Sequence, residues 1–212
     1  MYSQLGQDLW ILESTNFKNN GYFIDIGAYD GIYHSNTYLL ERDYGWNGVC
    51  VEPSYKYADL CNNRKSSLSN KLVYSQDNID IEFYETPGNM ELCGIPKHFN
   101  NDGHQNTRSN FIAKTINTVC LTTLCQQYNS PSVIDYLSID TEGSELFILQ
   151  HHDFDQYRFN YISIEHNRCI EYRKNIENFL NSKQYYLDTS ERFTIINNNL
   201  NTNFDDWYVY RG

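Results

Sequence analysis

Apolar residues in this chain fall into short runs separated by stretches with a helical period, and the two patterns alternate. Residues 22–27, 48–52 and 71–75 read as strands, and the periods between them predict helices over about 35–44 and 55–65. The second half repeats the scheme with strand 115–120, helix 122–129, strand 133–140, helix 143–151, strand 160–165 and helix 168–182. Such alternation argues for an α/β fold, a parallel sheet with helices on both faces. Ahead of it, residues 1–20 hold a short helix that Ser3 can cap, with Leu5, Leu9 and Leu12 at helical spacing and Gln4, Gln7 and Asp8 on its polar sides. This helix is expected to lie across the domain's edge. Near the other end, Tyr185-Tyr186-Leu187 and Trp207-Tyr208-Val209-Tyr210 are strand-like, with the turn-rich Asn197-Asn198-Asn199 between them. Two strands joined without a helix predict an antiparallel pair at one edge of the sheet.

Residues 78–112 break the alternation. Asn78 to Ile95 reads as a hairpin around Pro87-Gly88-Asn89, and Pro96 to Asn110 is polar with no apolar period. That stretch is the candidate for a mobile, substrate-facing lid. At 212 residues the chain reads as one domain. Its formal net charge of -11 argues against a nucleic-acid partner, because neutralising phosphates needs clustered Lys and Arg. A neutral or cationic ligand suits it better. Six cysteines without a CxxC pair point to a reducing compartment, and no apolar run approaches the roughly 20 residues that span a bilayer. A cytoplasmic protein with no membrane partner is the expectation.

The densest chemistry is Phe23-Ile24-Asp25-Ile26-Gly27-Ala28-Tyr29-Asp30-Gly31, a strand running into a glycine turn. A second strand closes on Glu52, 25 residues past Gly27, close to the spacing at which a carboxylate meets ribose hydroxyls in a nucleotide-binding βαβ unit. The turn lacks the GK[ST] ending of a P-loop, and Tyr29 stands where a dinucleotide fold needs its second glycine. S-adenosylmethionine carries no phosphate, a ribose with two hydroxyl donors and a positive sulfonium, so acidic Asp25 and Glu52 suit it. Ser35 and Asn36 open the next helix, where they either cap it or help hold a carboxylate on its amides. Taken singly, Asp25, Gly27 and Gly31 could merely shape a turn, and Glu52 could be a solvated acid before Pro53.

The strings SQLGQD (Ser3 to Asp8), FIDIGAYDG, HSNT (His34 to Thr37), GVCVEP (Gly48 to Pro53), DYLSIDTEGSE (Asp135 to Glu145) and SIEHN (Ser163 to Asn167) occur in order over nearly the whole chain. In them the chain resembles the FkbM family of S-adenosylmethionine-dependent methyltransferases. The resemblance implies a Rossmann-like class I methyltransferase fold, a seven-stranded sheet of order 3-2-1-4-5-7-6 with strand 7 antiparallel, and methyl transfer to oxygen of a sugar, glycan or small metabolite. The candidate cofactor contacts are then Gln7, Asp25, Gly27, Ala28, Tyr29, Gly31, Ser35, Asn36, Glu52 and Asp140, with Ser75 and Gln76 placed by position alone near the adenine.

Asp140 ends the fourth strand and Glu165-His166-Asn167 the fifth, so a parallel sheet sets them side by side at its carboxyl edge. Two devices could then remove an alcohol's proton. His166 could act as general base, or Asp140, Glu165 and His166 or Asn167 could hold an Mg or Mn type ion, similar to the metal site of catechol-type O-methyltransferases. Glu142 is a further catalytic candidate facing the substrate; equally, it and Glu145 could be first-turn acids favoured by the helix macrodipole. Two other classes stay open: a catalytically silent adenosyl-binding module, and a nicotinamide-dependent oxidoreductase, which Tyr29 disfavours.

Overall fold

The computed structural model describes residues 1–87, 92–101, 108, 110–190 and 204–212. In chain order its elements are α1 (Gln7–Ser14), β1 (Tyr22–Ile26), α2 (Tyr38–Tyr44), β2 (Asn47–Val51), α3 (Tyr57–Asn63), β3 (Ser67–Ser69), β4 (Leu72–Tyr74) and β5 (Asp80–Glu85). A 3-10 turn at Pro96–Asn101 follows, then β6 (Ile112–Cys120), α4 (Leu121–Gln127), β7 (Val133–Ile139), α5 (Glu145–Gln150), β8 (Arg158–Glu165), α6 (Ile170–Ser182), β9 (Tyr185–Leu187) and β10 (Asp205–Tyr210).

Seven strands form one mixed sheet in the order β3-β2-β1-β7-β8-β10-β9. From β3 to β8 neighbours are parallel, and β10 is antiparallel to both β8 and β9. With β4 to β6 set aside this follows the expected succession of strands, but it differs in detail. The third position belongs to Ser67–Ser69, not to residues 71–75, because Leu72–Tyr74 pairs with β6 in a separate three-stranded sheet, β4-β6-β5. There Leu72, Tyr74, Phe83 and Ile95 bury a small core of their own. The hairpin expected around Pro87 survives as one antiparallel bridge, Tyr84 to Gly94; its Gly88 and Asn89, like Asn197 to Asn199, lie outside the described residues.

Both faces of the large sheet are covered, which is why its central strands read as unbroken apolar runs. On β1, Ile24 and Ile26 join Leu124, Ile148, Leu149 and Ile176 of α4 to α6, whereas Phe23 joins the side of α1 to α3 with Leu40 and Leu60. The first helix differs from its sequence reading. It lies on the sheet face rather than at an edge: Trp10 stacks on Trp207 of β10 with ring centroids 4.9 Å apart and meets Tyr136 of β7 edge-on. Gln7 and Asp8 are buried while Leu9 is only half-buried. Ser3 does not cap this helix from the N-cap position, which Gly6 holds; its hydroxyl donates to Asp8 (2.5 Å) and accepts from the Gly6 amide, closing a knot before α1. All six cysteines are free thiols, and Cys50 and Cys125 are buried. Among the described residues no helix is long and apolar enough to cross a membrane.

Candidate active site

The carboxyl ends of β1, β2, β7 and β8 open on a cavity of about 560 Å3. Its floor is the glycine turn. Gly27 has φ +86°, and a Cβ there would sit 1.8 Å from the Asp140 carbonyl oxygen, so only glycine lets the ends of β1 and β7 approach this closely. The next residues curl round the end of β2: the amides of Gly27 and Ala28 both donate to Val51 O, and Tyr29, at φ 50°, donates its N–H to Glu52 Oε2 (2.9 Å). The Ser54 N–H reaches Glu52 Oε1 (2.8 Å). Each Glu52 oxygen is thus held by one backbone amide while the side chain lines the cavity. Burial raises its pKa, against the lowering effect of those hydrogen bonds.

Asp25 and the segment after the turn form the next wall. Asp25 Oδ2 accepts from the Thr37 hydroxyl (2.5 Å) and lies 4.0 Å from the Arg64 guanidinium. Burial raises its pKa and Arg64 opposes the rise. Ser35 serves the helix start, its Oγ accepting from the Thr37 and Tyr38 amides. Asn36 does not cap: its Nδ2 donates to Ser138 Oγ (3.0 Å), and its buried Oδ1 has no hydrogen-bond partner among the described residues. Asp25, Gly27, Ala28, Tyr29, Ser35, Asn36, Glu52 and Asp140 all line the cavity, as does Gln7.

Four candidates do not reach it. Gly31 packs under α3 against Leu60 and Arg64. Ser75 and Gln76 sit in the turn after β4, where the Gln76 carbonyl accepts from Thr118, and that end of the cavity is instead lined by apolar Leu72, Val73, Phe83 and Ile95. His166 turns away behind β8. Its Nδ1 accepts from the Arg168 N–H (3.2 Å), its Nε2 lies 3.7 Å from Asp206 of β10, and its own amide is taken by Phe204 O. The chain reverses at Asn167 and Arg168, both at positive φ, so the residue after the strand's end points away from the cavity that Glu165 faces.

Carboxylates dominate the reacting end. Asp140, Glu145 and Glu165 bring ligand atoms within 4.8 Å of one another. Asp140 is exposed, but its surface opens into the cavity; burial among protein and further carboxylates pushes its pKa up to about 6, its hydrogen bond with Glu165 notwithstanding. Glu165 is raised well above the carboxylate range by burial and by the charges of Asp140 and Glu142. A divalent ion does not fit this set. Glu145 is spent on the loop before α5, accepting from the amides of Thr141 (2.7 Å) and Gly143 (3.1 Å) and from the Tyr172 hydroxyl (2.8 Å). The Asp140, Glu165 and His166 triad is not assembled, and Asn167 gives its Nδ2 to Glu165.

Glu142 is not a first-turn acid, since α5 starts at Glu145. It stands at φ 58° on the cavity wall, its Oε2 receiving Arg108 Nη2 (2.8 Å). Arg108 also donates to Leu92 O (2.8 Å) and lies 3.9 Å over the Phe99 ring. Nor is the described part of the expected lid loose: the 3-10 turn is pinned by Asn101 Nδ2 to Gly143 O (2.9 Å) and by buried His98, which bonds Tyr74. Residues 102–107, with Asp102-Gly103, and 109 lie outside the described residues.

Asp205 is the acid that sequence reasoning missed. Because β10 is antiparallel, its first residue, paired with Glu165, lies at the carboxyl edge, and it lines the cavity. Its Oδ2 accepts from Gln7 Nε2 (2.6 Å) and Trp207 Nε1 (3.2 Å), and burial pushes its pKa up to about 7. Reading the last strand as starting at Asp205 instead of Trp207 would have found it.

A family model described as the methyltransferase FkbM domain matches residues 25–191. Among solved structures, a protein from Pyrococcus horikoshii, provisionally named an RNA methyltransferase, is similar at a TM-score of 0.44 and 15% identity. The match covers 86% of this chain and 66% of that one, so this chain spans just under two thirds of its relative's length. No curated protein matches the chain at a significant level. The exclusion of a nucleic-acid partner drawn from net charge is therefore corrected: a matching structure carries an RNA methyltransferase name, which describes that protein and supplies no acceptor for this one. The family match takes in the glycine turn, Glu52 and the ends of β7 and β8, and it implies S-adenosylmethionine as cofactor; the chain belongs to the FkbM methyltransferase family.

Proposed function

We propose that this chain moves a methyl group from S-adenosylmethionine to a hydroxyl of a sugar, glycan or small metabolite. The observation that carries the reading is Glu52, a carboxylate fixed by two backbone amides inside the cavity, where two neighbouring ribose hydroxyls can donate to it. Two further features fit the same ligand. Buried Asn36 Oδ1, without a hydrogen-bond partner among the described residues, can accept from an ammonium, and Leu72, Phe83 and Ile95 offer an apolar slot to a flat base.

When bound, the cofactor supplies an electrophilic methyl on a sulfonium. The chain's own work is to orient the acceptor and take its proton. Asp205, which lines the cavity and whose pKa burial pushes up to about 7, suits the base better than His166, whose ring lies behind the wall. Asp140 and Glu165, both with raised carboxyl pKa values, line the same acidic edge.

Titration calorimetry with S-adenosylhomocysteine tests the site. One-to-one binding is expected, weakened about tenfold by Glu52→Gln, the loss of about 1.4 kcal/mol. No heat at about 1 mM ligand, where even a site worth only about 4 kcal/mol is half filled, overturns the reading. A labelled-methyl screen over hydroxyl acceptors, run with and without EDTA, is expected to find transfer indifferent to chelator.

A further inference from the structure

Arg64 lies just beyond α3, outside the cavity, with its side chain fully buried. A buried guanidinium is tolerated only when its donors are met, and here they are spread over three pieces of chain. Nε donates to Glu41 Oε2 of α2 (3.0 Å), Nη2 to the Thr37 hydroxyl (2.9 Å), and Nη1 to Gly31 O (3.3 Å) and Ser35 Oγ (3.4 Å). Thr37 passes the link to Asp25 on β1. One side chain therefore ties both ends of the 31–37 segment to the strand and the helix that flank it.

Gly31 belongs to this device. It has φ +83°, and a Cβ there would fall 2.6 Å from Arg64 Cγ and 2.7 Å from Leu60 Cδ1. The second glycine of the turn thus makes room for the arginine stem and does not meet a ligand. What the clamped segment carries to the cavity wall is Asn36, anchored on Ser138 and with a buried Oδ1 that has no hydrogen-bond partner among the described residues.

We propose that Arg64 is a positioning residue for the amino-acid end of the cofactor: by clamping residues 31–37 it holds Asn36 where Oδ1 can accept from the ligand's ammonium. This rests on the reading of the cavity as an S-adenosylmethionine site. Two probes separate the effects, S-adenosylhomocysteine, which has the amino-acid end, and 5′-methylthioadenosine, which lacks it. Calorimetry on Arg64→Met is expected to show the first weakened tenfold or more and the second changed less than twofold. Arg64→Lys keeps the charge but not the forked geometry, so it is expected to restore the affinity only in part. Should Arg64→Met fail to fold, Thr37→Val cuts the relay to Asp25 while leaving Arg64 paired with Glu41, and it is expected to weaken S-adenosylhomocysteine alone, about threefold.

Unchanged affinity for both probes in a folded variant, or equal loss of both, overturns the positioning role. Failure of the unaltered protein to bind either probe overturns the underlying reading and the positioning role with it.

Discussion

At the scale of single residues, the difference between Glu165 and His166 shows how little sequence distance separates a cavity wall from its back. Both follow from the same apolar run, yet strand alternation and the reversal at Asn167 send the carboxylate forward and the imidazole against Asp206. The His166 ring, its buried Nε2 3.7 Å from Asp206 and without a hydrogen bond among the described residues, packs the β8 turn onto β10. His166→Ala is accordingly expected to cost about 1–3 kcal/mol of stability, the range for removing one partner from a buried polar site. Affinity for S-adenosylhomocysteine should stay within about twofold. A denaturant midpoint beside a calorimetric titration separates these effects, and a large loss of methyl transfer in a stably folded variant would return His166 to the reaction. The opposite lesson comes from Glu52, whose position at a strand end beside a glycine turn was legible from spacing, because backbone amides of that same turn fix it.

At the scale of elements, α1 is the instructive case. A count of leucines puts Leu5, Leu9 and Leu12 on one face, but the helix buries Trp10 and Ile11 with Leu12, and admits Gln7 and Asp8 because Asp205 and Ser3 satisfy them. Trp10→Ala should cost about 3–5 kcal/mol, as for a large aromatic removed from a packed core, and Leu9→Ala well under half of that. Chemical denaturation of the two variants decides which face is the core. The alternating strands and helices of the rest were legible because both faces of the sheet are covered and each element carries its own apolar period. Two things were not. Ser67–Ser69 forms the third strand with one apolar residue, since an edge strand is specified by backbone pairing with β2 rather than by its side chains. The better-looking strand at residues 72–74 goes to the small sheet because β6 offers it a partner from 40 or more residues away, which local periodicity does not encode. Ser75 and Gln76 miss the cavity for the same reason: their turn follows β4 into the small sheet.

At the scale of the whole molecule, a chain of net charge -11 gathers Asp140, Glu142, Glu165 and Asp205 around one cavity, and this has a consequence for stability against pH. Folding raises the carboxyl pKa of Asp205 to about 7 and of Asp140 to about 6, chiefly by burial, from ordinary values near 4. The folded state then binds more protons than the unfolded one between those limits, so stability from these groups is fully present below about pH 4 and is lost as pH rises through 6 and 7. Glu41 and Asp206, held low by Arg64 and by His166 with Arg173, run the other way and lose their contribution only on stronger acidification. The protein is expected to be most stable on the acid side of neutrality, to soften toward pH 7 and to level off above it. Asp205→Asn keeps an oxygen for Gln7 and Trp207 to donate to and removes one titrating group. Its unfolding free energy should therefore fall less steeply with pH than that of the unaltered protein, by up to about 1.4 kcal/mol per pH unit between pH 4 and 7. Denaturant titrations of both proteins across that range measure the difference, and parallel curves would mean that Asp205 is already ionised in the fold and is not the poised base of this cavity.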